Sequence, residues 1–269
     1  MPLTDPLTNA RSERVAGVRA LGQRAARLRT SRYVAEGPQS VREAVRYAAA
    51  DVRDIYVTQQ ASSRWPEIVD AALDAGLYVH PTSTEALERM SADAQGVLAV
   101  LDLRASDLSA LDLGRLRLVA VCEEVRDPGN AGTIIRAADA AGADAVVLTT
   151  GSVEVTSPKV VRSSAGSVFH LPVISGVGLA DVVSTLRGAG LDVLAADGQG
   201  EHDIESTSLL DRPTAWIFGN EAHGLSDDAR ALADATVRVP LRGRAESLNV
   251  AMAATITLYA SSLAHARSR

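Results

Sequence analysis

Apolar residues change their rhythm along this chain of 269 residues. From about residue 11 to 29 they recur at helical spacing among arginines. Residues 33–36 form a short apolar run that ends at Gly37-Pro38, and a helix is predicted over 39–50. Pro38 suits a first helical turn, where its missing N–H costs nothing. A strand follows at 55–57, then a helix at 66–75 closed by Gly76, and strands at 77–80 and 97–101 with a helix between them. Residues 104–114 (RASDLSALDLG) carry turn residues and little periodicity. The pattern therefore divides the chain into an N-terminal domain over 1–104, a linker over 105–114 and a C-terminal domain over 115–269.

The second half is more regular. Short apolar runs at 116–122, 145–149, 191–196, 215–218 and 236–239 read as strands buried on both faces. Helical patterns at 131–141, 158–165, 179–188 and 227–233 fall between most of them, and an apolar helix over 248–265 closes the chain. Strands alternating with helices predict an α/β fold, a parallel sheet flanked by helices.

Composition narrows the function classes. Apolar residues make up 46% of the chain and charged residues 22%, as in ordinary globular proteins. No apolar run reaches the ~18 residues needed to span a bilayer, and the first fifteen residues lack the apolar core of a signal peptide, so a cytoplasmic protein with no membrane partner is expected. Cys122 is the only cysteine, which leaves no thiolate cluster for a metal, and none is expected. The net charge of −6 argues against indiscriminate nucleic-acid binding. Between Arg11 and Arg32, however, seven arginines face a single acid, Glu13. Such a segment on an acidic protein is either a solvated helix face or a local phosphate-binding patch.

Ligands of open α/β sheets bind beyond the carboxyl ends of the strands, so the residues after each strand are the candidates. After 116–122 comes EEVRDPGNAGTIIRAADAAG, in which Asn130 is a candidate helix cap and Arg136 an arginine in an otherwise apolar helix. After 215–218 comes GNEAHGLS, where Gly219 and Gly224 bracket Glu221 and His223, and Ser226 can cap the next helix. After 236–239 comes PLRGRAESLN, which brings Ser247 and Asn249 to the start of the last helix, with Glu246 nearby. Taken singly, each residue also has an ordinary structural role: an ion pair for Arg136, a cap for Ser247.

Together the segments resemble the SpoU (TrmH-like) family of RNA ribose methyltransferases, of the SPOUT class. NAGTIIRAA at 130–138, FGNEAHGL at 218–225 and VPLRGRAESLNVAMA at 239–253 stand in that family's order and spacing. SPKVVRSSAG at 157–166 is similar to its intervening segment, and YVAEGPQSVREAV at 33–45 and AQGVLAV at 94–100 resemble the small α/β RNA-binding domain that many members carry.

The resemblance implies a C-terminal trefoil knot in the parallel sheet, S-adenosylmethionine as cofactor, a homodimer, and methylation of a ribose 2′-hydroxyl, foremost in large-subunit ribosomal RNA. By motif position it implies cofactor contacts at Ala196, Gly219, Asn220, Gly224, Val239, Leu241 and Leu248, and catalytic roles for Asn130, Arg136, Glu221, Ser247 and Asn249. An arginine, with a pKa above ~12, is a poor proton acceptor, so a bidentate grip on the phosphate beside the target ribose is the role expected of Arg136. Glu221 is either a proton acceptor or a brace for Asn130 or Arg136. RNA binding is expected in the N-terminal half by phosphate contacts and shape, since aromatics are only 3% of the chain, with Tyr33 a candidate for base stacking. The alternatives are a transfer RNA 2′-O-methyltransferase, a non-catalytic RNA-binding relative, and a nucleotide-dependent oxidoreductase. The last needs a Gly-x-Gly-x-x-Gly turn that residues 129–132 do not supply.

Overall fold

The computed structural model describes residues 6–104 and 106–267. Residues 1–5 of the expected N-terminal domain, Ala105 in the expected linker and the last two residues lie outside the described set. The described residues form two compact units, one of 6–104 with 156–170, the other of 106–155 with 171–267.

In the first unit, α1 (Glu13–Ala20) and α2 (Arg24–Thr30) precede β1 (Arg32–Glu36), α3 (Gly37–Tyr47), β2 (Val52–Val57), α4 (Gln59–Arg64), α5 (Pro66–Asp74), β3 (Tyr78–Pro81), α6 (Thr84–Met90) and β4 (Val97–Asp102). The sheet order is β1-β4-β2-β3, with β4 antiparallel to both neighbours and β2 parallel to β3. One face packs on α3 and α5 through Val41, Ala44, Val45, Ile68 and Ala72. The other packs on α1 and α6 through Val15, Val18, Ala86, Leu87 and Met90.

The single helix expected over 11–29 is two helices. The break falls at Gly22, where the buried Arg27 folds back and donates to the carbonyls of Leu21 and Gly22 at 2.9 and 3.0 Å. Those carbonyls, orphaned at the helix end, gain a charged donor. Arg27 is thus a structural arginine, not a phosphate ligand. Tyr33 packs against the first core, and burial, followed by the charge of Asp51, raises its phenol well above the usual value.

The second unit runs through β5 (Leu118–Cys122), α7 (Pro128–Ala140) and β6 (Ala145–Thr149). The chain then enters the first unit as α8 (Pro158–Ser163), so the segment expected within the C-terminal domain packs with the N-terminal one. There Arg162 pairs with the buried Glu36 and reaches Asp93 at 3.0 Å. The second unit resumes with β7 (Val173–Val177), α9 (Leu179–Gly188), β8 (Asp192–Ala196), β9 (His202–Asp203), β10 (Thr214–Phe218), α10 (Asp227–Leu232), β11 (Ala235–Arg238) and α11 (Val250–Arg267).

The described strands of this unit form one parallel sheet in the order β7-β6-β5-β10-β8-β11-β9. β5, β6 and β10 are buried at every position, as apolar runs without alternation require. Alternate strand residues, among them Val119, Val121, Val147 and Ile217, pack on α9 and α10. On the opposite face α11 lies beside α7, and Trp216 Nε1 donates to Ser261 Oγ at 2.9 Å. A buried indole N–H left unpaired would cost about 1–3 kcal/mol, so this bond fixes how α11 seats on β10.

Candidate functional site

α7 does not begin at Asn130. Asp127 is its N-cap, accepting from the Asn130 backbone N–H at 2.8 Å, because Pro128 occupies the first turn. Asn130 therefore lies inside that turn with its side chain free for other work. Asn249 caps α11 instead of Ser247, its Oδ1 accepting from the N–H groups of Ala251 and Met252 at 2.9 and 3.4 Å. That leaves its Nδ2 to donate to Asn130 Oδ1 at 3.0 Å. Asn130 in turn donates from Nδ2 to Glu221 Oε1 at 3.2 Å. A carboxylate only accepts, so both amide orientations follow from this chain of bonds.

Glu221 also accepts from the backbone N–H groups of Arg126 and Asp127 at 3.1 and 3.0 Å. Burial alone would raise its carboxyl. These hydrogen bonds favour the anion and hold it below the usual value. The three segments singled out in the sequence are thus joined through Glu221, Asn130 and Asn249.

The loop bearing Glu221 folds back on itself. Asn220 and Gly224 exchange backbone hydrogen bonds of 2.9 Å in both directions, and Gly224 has a φ of +68°. Gly219 is enclosed by this turn: a Cβ there would stand 2.3 Å from the Gly224 carbonyl carbon. Asn220 donates from Nδ2 to the Glu124 carbonyl at 2.7 Å, tying the loop to the end of β5. Ser226 caps α10 and donates to the buried Glu123 carboxylate.

These loops surround a cavity of about 440 Å³ at the carboxyl ends of β8, β10 and β11. All seven positions expected to touch a cofactor line it: Ala196, Gly219, Asn220, Gly224, Val239, Leu241 and Leu248. Of the expected catalytic residues, Glu221, Ser247 and Asn249 line it too. Asn130 is one hydrogen bond away. Arg136 is not brought to the cavity. It stands on the exposed side of α7 and makes no hydrogen bond or ion pair with any described residue. His223 is exposed and does not line the cavity.

The sequence reading missed the Asp197–Arg230 pair. Asp197 lines the cavity just past β8, accepts from Gln199 N–H at 2.8 Å and meets Arg230 of α10 at 2.6 Å. Burial would raise its carboxyl, but these two donors hold it low. The available signal was the Asp-Gly step that closes the β8 run. Cys122, at the end of β5, is buried, and burial and then the charge of Glu221 push its thiol up to about 12, which disfavours a thiolate. Among the described residues no group of three or more His, Cys, Asp or Glu side chains is placed to hold a metal ion.

The SpoU rRNA Methylase family profile matches residues 117–259. The chain is 33% identical over 245 residues to the 23S rRNA (uridine(2479)-2′-O)-methyltransferase of Streptomyces viridochromogenes, covering 89% of this chain and 85% of that protein. It is 31% identical to the 23S rRNA (guanosine(2553)-2′-O)-methyltransferase of Bacillus subtilis, covering 94% and 97%. Among solved structures, the AdoMet-bound rRNA methyltransferase of Sinorhizobium meliloti superposes with a TM-score of 0.83 at 28% identity, covering 97% of this chain and 98% of that one. The Streptomyces viridochromogenes SpoU methyltransferase AviRb in complex with AdoMet also gives 0.83, at 30% identity, covering 95% and 100%.

Proposed function

The chain belongs to the SpoU rRNA Methylase family, and from that premise we propose that it is an S-adenosylmethionine-dependent RNA methyltransferase acting on a ribose 2′-hydroxyl of 23S ribosomal RNA. The observation that carries this reading is the convergence of three distant loops on one cavity, braced by the Glu221–Asn130–Asn249 bonds.

The cavity suits the cofactor. Gly198, Gly219 and Gly224 line it, and Val239, Leu241 and Leu248 supply apolar surface, the mix expected for an adenine ring. When bound, S-adenosylmethionine supplies an electrophilic methyl group. A ribose hydroxyl attacking it must shed its proton. Glu221 is poorly suited to take that proton, since two backbone N–H groups and an amide already stabilise its anion. Glu221 and Asn249 are positioning residues that hold Asn130. Arg136, unpaired on the outer face of α7, grips the phosphate next to the target ribose and so orients the hydroxyl.

Arg136 and the cavity are completed in a homodimer. α11 exposes Met252, Ile256, Tyr259 and Leu263, an apolar stripe at helical spacing that a second copy would cover. Among the described residues no helix is long and apolar enough to cross a membrane. A ribosomal RNA substrate, as in the Bacillus subtilis relative, makes the cytoplasm the place of action. The first unit, 1–104 by the sequence reading, binds the RNA. The knot is supported by the chain path: β11 lies beyond β8, yet α11 returns to pack on α7, β5 and β10.

Labelled-methyl transfer to 23S ribosomal RNA and to transfer RNA, followed by mapping of alkali-resistant linkages, tests the proposal. Alkali-resistant product in ribosomal RNA is expected. Transfer confined to transfer RNA would favour the alternative substrate, and methyl groups on bases would overturn the reaction itself.

A further inference from the structure

Three carboxylates line the cofactor cavity, those of Asp197, Glu221 and Glu246, and among the described lining residues there is no arginine, lysine or histidine. Glu221 is already occupied by two backbone N–H groups and the Asn130 amide, and Glu246 is exposed. Asp197 differs from both. Its side chain is only 11% exposed, and its partners hold it from behind the wall. Oδ1 accepts from Gln199 N–H at 2.8 Å and Oδ2 from Arg230 Nε at 2.6 Å, and neither Gln199 nor Arg230 lines the cavity. An ionised carboxylate has about four lone-pair sites. These two bonds leave sites open toward the cavity, whose walls carry no cationic side chain to fill them.

The backbone is set as firmly. Asp197 N–H donates to the Val237 carbonyl, and the Asp197 carbonyl accepts from Gly200 N–H, both at 3.0 Å. Gly200 presses on β11, where a Cβ would stand 2.7 Å from the Val237 carbonyl carbon. The loop after β8 is therefore a closed turn that keeps the carboxylate at one place on the wall.

That place selects the cofactor group. β8 lies between β10 and β11 in the sheet. Asp197 thus stands between the strand end that leads to the Gly219–Gly224 turn and the one that leads to the apolar Val239 and Leu241. Adenine on the apolar side brings the ribose, the next group along the cofactor, beside the end of β8. A ribose presents two neighbouring hydroxyl donors, which match a carboxylate with open acceptor sites.

We propose that Asp197 is a cofactor-binding residue that accepts hydrogen bonds from the 2′- and 3′-hydroxyls of the S-adenosylmethionine ribose, and that Arg230 is a positioning residue that holds it there. The inference rests on S-adenosylmethionine being the cofactor and deepens that reading by naming what fixes its sugar.

The test uses the full chain and three probes: S-adenosylhomocysteine and its 2′-deoxy and 3′-deoxy forms, with affinities read by calorimetry. The wild type should bind each deoxy form at least about tenfold more weakly than the parent, as loss of a hydrogen bond to a charged acceptor implies. In Asp197→Ala the parent should weaken and the three probes should bind nearly alike. A general fold defect would weaken all three by one factor and leave the preference standing. Arg230→Gln should reduce the preference and raise KM for S-adenosylmethionine with kcat little changed, and Arg230→Lys should restore part of both. No preference in the wild type, or a preference that survives in Asp197→Ala, overturns the ribose assignment. Wild-type preference and KM in Arg230→Gln would remove its positioning role. Failure of the wild type to bind S-adenosylmethionine at all would instead overturn the proposed function, and this inference with it.

Discussion

Asn249 donates a 3.0 Å hydrogen bond to Asn130 although 119 residues separate them. The bond joins the cap of the last helix to the first turn of α7, and Glu221 completes the brace from a third loop. Replacing Asn130 by aspartate turns a donor into a second carboxylate beside Glu221. Like charges at this range push one of the two pKa values up.

The consequence is a pH signature. In the wild type the Glu221 carboxyl is held below its ordinary value of 4.5, so its contribution to stability is complete above that value and is lost as pH falls through the depressed one. In Asn130→Asp the repulsion should cost about 1 kcal/mol at neutral pH, and the loss should shrink as acid protonates one of the pair. Melting temperatures of both proteins between pH 4 and 8 would show curves that converge toward acid. Parallel curves would mean that Asn130 and Glu221 do not meet in solution.

Arg136→Ala is expected to abolish methyl transfer while S-adenosylmethionine binding, read by calorimetry, stays at the wild-type level. Arg136 lies outside the cavity, so its loss removes nothing the cofactor touches. Arg136→Lys should recover little activity, because an ammonium group cannot make the bidentate contact. Turnover near the wild-type rate in Arg136→Ala would end its assignment to the substrate phosphate.

Gly219→Ala should cut cofactor affinity with little change in far-ultraviolet circular dichroism. The added Cβ would meet the Gly224–Leu225 peptide at 2.3–2.4 Å, so the turn must open. Backbone has no soft end to move aside, and the displaced turn carries Asn220, Glu221 and Gly224 along the cavity wall. Undiminished calorimetric binding would show that this turn does not shape the cofactor site.

Strand positions in the second unit were legible because β5, β6 and β10 are buried on both faces, which leaves unbroken apolar runs in the sequence. β7 and β9 escaped the reading for the opposite reason. The first is half exposed, with Gly176 inside it, and the second is two residues long, so neither leaves a run. The break at Gly22 was hidden as well, since it depends on Arg27 turning back on its own chain.

The sequence by itself determined the alternation of strands and helices, the three loops at strand ends, and which residue types those loops hold. These follow from local patterning, which does not depend on what each element packs against. Only the tertiary structure decided that Asn130 is braced instead of capping, that Glu221 is a held anion, that Arg136 faces outward, and that residues 156–170 belong with the N-terminal unit. Each of these is set by partners far away in the chain, and hydrogen-bond geometry at 3 Å exists only once the sheet has brought those partners together.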